Sequence, residues 1–138
     1  MKTHFPFLSA LSLILVLLTF NQSDASAQQD ERKIRIANIQ IEAAYLDDYK
    51  AALAEHAKIA VQVEPGVLAL QAVYDKAQPT KVTVFEIYAS EKAYQLHLKA
   101  PHFIKYKIGT LKMVKSLELV EVTPVAMELK PNISSLLH

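Results

Sequence analysis

Between residues 33 and 123 the apolar pattern switches from a two-residue period to a three- and four-residue period and back, twice. This alternation constrains the fold more than any other feature of the chain. Lys33 to Ile41 reads as a strand, with Ile34 and Ile36 followed by Ile39 and Ile41. The phase slips around Ala37 and Asn38, which predicts a bulge there. From Glu42 to about Val63, Leu46, Tyr49, Leu53, Ala57 and Ala60 recur at helical spacing. Asp47, Asp48, Lys50, Glu55 and Lys58 fall on the other face, as in an amphipathic helix that Pro65 and Gly66 then stop. Val67 to Tyr74 and Lys81 to Tyr88 read as strands joined by a turn containing Pro79. Ser90 is placed to cap a helix from Glu91 to about Lys99, which Pro101 breaks. A further helical piece is expected from His102 to about Val114, and a fourth strand from Leu117 to Thr123. The order strand, helix, strand, strand, helix, strand is the split β-α-β unit. The fold class is therefore α+β, ferredoxin-like, with two helices on one face of a four-stranded antiparallel sheet.

Such a sheet normally has one dry face and one wet face. Here both are apolar. The second strand offers Val67, Ala69 and Val73 on one side and Leu68, Leu70 and Tyr74 on the other. The third offers Val82, Val84 and Tyr88 against Phe85 and Ile87. One helix layer covers one face, so a homodimer that packs on the open face is expected. The tail, residues 124–138, is expected to close over the partner.

The first 27 residues read as a secretory signal peptide rather than part of the fold. Lys2 and His4 give a basic start, Phe5 to Phe20 is almost uninterruptedly apolar, and Ala25-Ser26-Ala27 offers the small residues that a signal peptidase reads. The apolar run is short of the ~20 residues that cross a bilayer. An exported protein, periplasmic or secreted and without stable membrane insertion after cleavage, is expected. The domain then spans residues 33–123. The chain has no cysteine, so disulfides, thiol nucleophiles and cysteine-ligated zinc are excluded. Its 15 basic against 14 acidic side chains leave a net charge of +1, which argues against nucleic-acid binding. With only 2 glycines there is no glycine-rich phosphate loop.

Few residues are suited to chemistry. His97 follows Ala93 by one helical turn and sits at the edge of the apolar stripe; His56 lies near the buried edge of the long helix, and His102 stands just past the Pro101 break. The three lack the spacing of a helical metal motif, and no acid stands at ligand spacing beside His97 or His102, so no metal is expected. Glu86 lies within an otherwise apolar strand, where a carboxylate is costly unless it is paired or faces a cavity. Tyr88 shares its face. With Tyr49 and His97 they can line a polar-tipped pocket between sheet and helices. Asn38 either points its amide into the same cavity or satisfies the bulge. The lysines at 99, 105, 107, 112 and 115 read as a solvated face.

Glu64-Pro65-Gly66-Val67-Leu68, Pro79, Phe85-Glu86-Ile87-Tyr88, Glu91, Ala93, His97 and Pro101-His102-Phe103 together resemble the antibiotic biosynthesis monooxygenase domain, over about Ile34 to Val122. The resemblance implies a dimeric ferredoxin-like α+β barrel. It also implies one of several activities: quinol oxygenation without metal or flavin, haem degradation, or isomerisation of small molecules. His97 falls at the family's recurrent histidine of the second helix. His102 falls at the histidine of its proline-histidine-aromatic signature. In the haem-degrading branch the pattern is asparagine, tryptophan and a histidine ligand. Asn38 matches the first, but His97 and Lys107 stand at the other two places, which argues against that mechanism. A branch acting on a phosphorylated signalling molecule shares Glu86, Tyr88, His97 and His102, but its substrate is cytosolic.

The reading that follows is a monooxygenase acting on a small quinol or phenol with molecular oxygen and no cofactor. His97 is the expected general base, Glu86 its orienting acid, and Tyr88 or Asn38 the donor to the substrate oxygen. Asn38, Tyr49, His56, His102 and Phe103 are expected to contact the substrate. An isomerase or tautomerase with the same base, and a non-catalytic dimer that holds a small apolar ligand, are the alternatives.

Overall fold

The computed structural model describes residues 31–130. The expected signal segment, residues 1–27, and the end of the tail, residues 131–138, lie outside the described residues. Strand β1 (Lys33–Ile41) leads through a short 3-10 turn (Ala43–Tyr45) into helix α1 (Leu46–Val63). Strands β2 (Val67–Tyr74) and β3 (Lys81–Tyr88) follow as a hairpin, then helices α2 (Glu91–His97) and α3 (Pro101–Thr110). A second 3-10 turn (Leu111–Met113) feeds β4 (Val114–Glu121). The sheet has the order β2-β3-β1-β4 with every neighbouring pair antiparallel. This is the ferredoxin-like arrangement expected from the periodicity. No helix among the described residues is long and apolar enough to cross a membrane.

The helix ends follow from local chemistry. The Ser90 Oγ accepts the Ala93 N–H at 3.1 Å and opens α2. Pro101 occupies the first turn of α3, where its missing N–H costs nothing. The inward face of α1 is Tyr49, Leu53, His56 and Ala60, all buried. Tyr49 and Leu53 pack on Ala37, Ile39, Ile41, Val82 and Val84 of the sheet, while Ala60 packs with Val67 and Tyr88. Each large apolar side chain so buried contributes roughly 1.5–3 kcal/mol against leaving it in water.

Three local expectations are corrected. The ladder between β1 and β3 runs unbroken through Ala37↔Val84 and Asn38↔Thr83, so there is no bulge at that point. The apparent slip arises because β1 is apolar on the open face at Ile34 and Ile36 and on the helix face at Ile39; the face that is apolar changes, not the register. Irregularities fall instead at Gln40/Ile41 beside β4 and at Val67/Ala69 in β2. The second of these turns Val67 to the helix side with Leu70, while Ala69 pairs Ile87 on the open side. Finally, β4 starts at Val114 rather than Leu117, because the 3-10 turn ends the helical stretch earlier than hydrophobicity alone suggested.

Candidate functional site

The side chains of Arg35, Ala37, Ile39, Val84, Glu86 and Tyr88 alternate onto the helix side of the sheet and floor a cavity of about 630 Å³. Tyr49, Leu53 and His56 of α1, His97 of α2, and Phe103 and Tyr106 of α3 form its roof. Ala37 is the small residue on the floor that leaves the space. Toward the end of α3 and β4 the lining includes the exposed Leu111, Leu117 and Leu119 together with Lys107 and Lys115. Two lysines expected on a plain solvated face thus line the cavity. The volume suits a small organic ligand.

His97 is 1% exposed. Its Nδ1 lies 2.8 Å from Glu64 Oε1, so Nδ1–H donates to the carboxylate. Among the described residues Nε2 has no hydrogen-bond partner, and the ring stands on the cavity wall. The pairing is built by the turn after α1. Glu64 ends that helix with its N–H bonded to the Ala60 carbonyl at 3.0 Å, and the Gly66 carbonyl accepts the Ala89 N–H at 2.9 Å. A Cβ on Gly66 would stand 2.5 Å from the Ala93 Cβ, so only glycine permits this approach to α2. Ala93 and His97 are one turn apart on the same helix face, and the close approach brings Glu64 to the His97 ring.

The same Glu64 Oε1 lies 2.7 Å from His102 Nε2. That contact has ion-pair length but is out of line for a hydrogen bond, which leaves the buried Nε2 without one. His102 Nδ1 lies 3.2 Å from His56 Nδ1. His56 stacks on Tyr106 with ring centroids 4.6 Å apart and planes 7° apart. The Tyr106 hydroxyl in turn meets that of Tyr49 at 2.7 Å. Burial, and next the proximity of His97 and His102, pushes the His56 imidazole down from 6.5 to about 4. Burial also pushes the Tyr49 and Tyr88 phenols well above their usual range.

Glu86 stands opposite Arg35 on β1 and Leu70 on β2. Burial pushes its carboxyl up, offset in part by the Tyr88 hydroxyl, Arg35 and His97. Arg35 is itself buried, with its guanidinium 4.5 Å from the Tyr94 ring centre. Tyr88 packs edge-on to Tyr94, its ring 5.3 Å from that of His97. Phe103 packs on His97 at 4.9 Å.

The structure gathers Tyr49, His56, Glu86, Tyr88, His97 and Phe103 at one cavity. Three assignments change. Asn38 faces the open side of the sheet, donating to Glu118 at 3.2 Å and accepting from Thr83 at 3.4 Å; strict alternation with Ala37 turns it from the cavity. His102 lies behind His97 rather than among the cavity-lining side chains, because Pro101 starts a new helix that points it at Glu64. The acid on His97 is Glu64, not Glu86. Glu64, Arg35 and Tyr106 were not singled out for a role. For Glu64 the available signal was a carboxylate directly before a helix-ending Pro-Gly. For Arg35 it was a charge inside an apolar strand, like Glu86. Glu64, His97 and His102 also bring three possible ligand atoms within 4.8 Å of one another, so an acid joins these histidines in space although none stands at ligand spacing in the sequence.

A family model described as antibiotic biosynthesis monooxygenase matches residues 34–107. Among solved structures, a candidate antibiotic biosynthesis monooxygenase from Bacteroides thetaiotaomicron is 44% identical, with a TM-score of 0.71, and the match covers 75% of this chain and 99% of that one. A candidate monooxygenase from Lactobacillus acidophilus is 26% identical with a TM-score of 0.64, over 65% of this chain and 43% of the other. One from Caulobacter crescentus shares 18% identity and a TM-score of 0.65 over 70% and 92%, a likeness of fold alone. No curated protein matches the chain.

Proposed function

The chain belongs to the antibiotic biosynthesis monooxygenase family, an enzyme family, and from that premise we propose that it oxygenates a small phenol or hydroquinone without a cofactor, using His97 as general base. The observation that carries this reading is the Glu64–His97 contact of 2.8 Å, made through Nδ1, on a ring that lines the cavity. A carboxylate on Nδ1 fixes the tautomer in which Nε2 is the base, and it stabilises the imidazolium that forms. Nε2 takes the phenolic proton. The resulting oxyanion is electron-rich enough to pass an electron to molecular oxygen. Recombination forms the C–O bond, and loss of water leaves the quinone. For a hydroquinone the balance is substrate plus O2 to hydroxyquinone plus H2O. The apolar walls exclude water, while Arg35 and the Tyr88 hydroxyl offer positive charge and a donor to the developing oxyanion.

Glu86, whose carboxyl is pushed up by burial, favours a second reading. A buried carboxyl with raised proton affinity, facing a histidine base across one cavity, is also the equipment of a tautomerase. An oxygen electrode separates the two. With a panel of hydroquinones and phenols, oxygen should fall with substrate in a 1:1 ratio. Turnover of an enol or ketone without oxygen uptake would favour tautomerisation instead.

Export, proposed from the basic start, apolar run and Ala25-Ser26-Ala27, is checked by N-terminal sequencing, which should begin near Gln28. A homodimer is proposed from the apolar residues on the open sheet face, with Val73 and Val120 exposed. Light scattering at micromolar protein should give twice the monomer mass.

A further inference from the structure

We propose that Glu64, His97 and His102 form a binding site for one divalent transition-metal ion, seated behind the catalytic ring and away from the cavity. The three donor atoms are Glu64 Oε1, His97 Nδ1 and His102 Nε2, with the carboxylate oxygen 2.8 and 2.7 Å from the two nitrogens. An ion bound at ~2.0–2.2 Å to each needs its ligand atoms further apart, ~3.3–3.6 Å in tetrahedral geometry. Binding therefore requires the Glu64 side chain to draw back from both rings.

Three observations point to an ion rather than to a plain charge pair. The His102 Nε2 is buried and has no hydrogen bond, although an acceptor lies 2.7 Å away, so its donor direction is unused. The other nitrogen of that ring, Nδ1, already has an outer partner in His56 at 3.2 Å, the arrangement that orients ligating histidines. The ligand set, two imidazoles and one carboxylate with no thiolate, suits zinc, cobalt or nickel and not the oxygen-rich shells of calcium or magnesium. His102 also borders open space on its other side. A second cavity of about 170 Å³ opens between α1 and α3 beside His56, His102 and Gly109. Neither Glu64 nor His102 lines the main cavity, so an ion here sits on the far side of the His97 ring from the substrate.

The site uses the same histidine as the proposed base, but its test needs no substrate. The purified, untagged protein is stripped of metal, and Co2+ is followed by visible absorption and Zn2+ by calorimetry. One ion per chain is expected. Glu64→Gln and His102→Asn should each weaken binding at least ~10-fold, and loss of the outer partner in His56→Gln about 10-fold or less. Glu86→Gln should leave binding unchanged. Circular dichroism checks folding. Absence of stoichiometric binding to the wild type, or binding that survives both Glu64→Gln and His102→Asn, overturns the site. An ion on Nδ1 leaves the proton of the neutral ring on Nε2, so the metal-loaded form cannot use His97 as base; oxygen uptake is therefore read on the metal-stripped protein, where either result leaves that experiment standing.

Discussion

The carboxylate that meets His97 Nδ1 comes from Glu64, 33 residues earlier in the chain, at 2.8 Å. The strand acid Glu86 faces the cavity instead. The two acids therefore have separable roles. Glu64→Gln should lower kcat by ~10²–10³ with little change in KM, because the imidazole loses both its tautomer preference and the stabilisation of its charged form. Glu86→Gln should affect kcat less. Steady-state kinetics of both variants on one substrate checks this; equal losses would mean that both acids act on the ring.

Gly66 is the close-contact point that carries Glu64 to α2. Gly66→Ala puts a Cβ 2.5 Å from the Ala93 Cβ. Overpacking of this kind costs ~1–3 kcal/mol. The Tm should fall by several degrees, and Ala93→Gly in the same chain should recover much of the loss. Thermal unfolding of the two single variants and the double variant measures the coupling. Simple additivity would show that the two residues do not press on each other.

Acid should weaken the fold through His56. Its imidazole is held near 4 in the folded protein against 6.5 otherwise. The unfolded chain binds a proton in that window that the folded chain refuses. Stability is therefore intact above about 6.5 and falls as the pH drops towards 4. Glu86 acts in the opposite sense, since its raised carboxyl favours the folded state at low pH and loses that contribution as the pH rises through its folded value. Urea unfolding from pH 7 to 4 should show a shallower decline in His56→Gln than in the wild type. Identical slopes would mean that His56 does not stay neutral.

The element order was legible because the helices and strands differ in period, and Pro65, Pro101 and Ser90 punctuate them in the expected sense. Face assignment was less legible. β1 carries apolar residues on both faces, so Asn38 was open to either side until the pairing with Thr83 and Glu118 placed it. The inward placement of Tyr49, His56 and His97 followed from helical spacing. Glu64 did not, because its role depends on where a turn ends in space, and periodicity carries no information about the partner of a residue outside the element. His102 shares this difficulty: a break at Pro101 resets the helix direction, so its distance from His97 in sequence says little about its orientation.

The central claim is that His97 takes a proton from a phenolic substrate to start oxygen chemistry. The most direct measurement is oxygen uptake by wild type and folded His97→Ala on the best hydroquinone or phenol found. Wild type should consume one O2 per substrate, and the variant should lose ~10²–10⁴ in kcat/KM while keeping its circular dichroism spectrum. Undiminished uptake by a folded His97→Ala protein would contradict the claim.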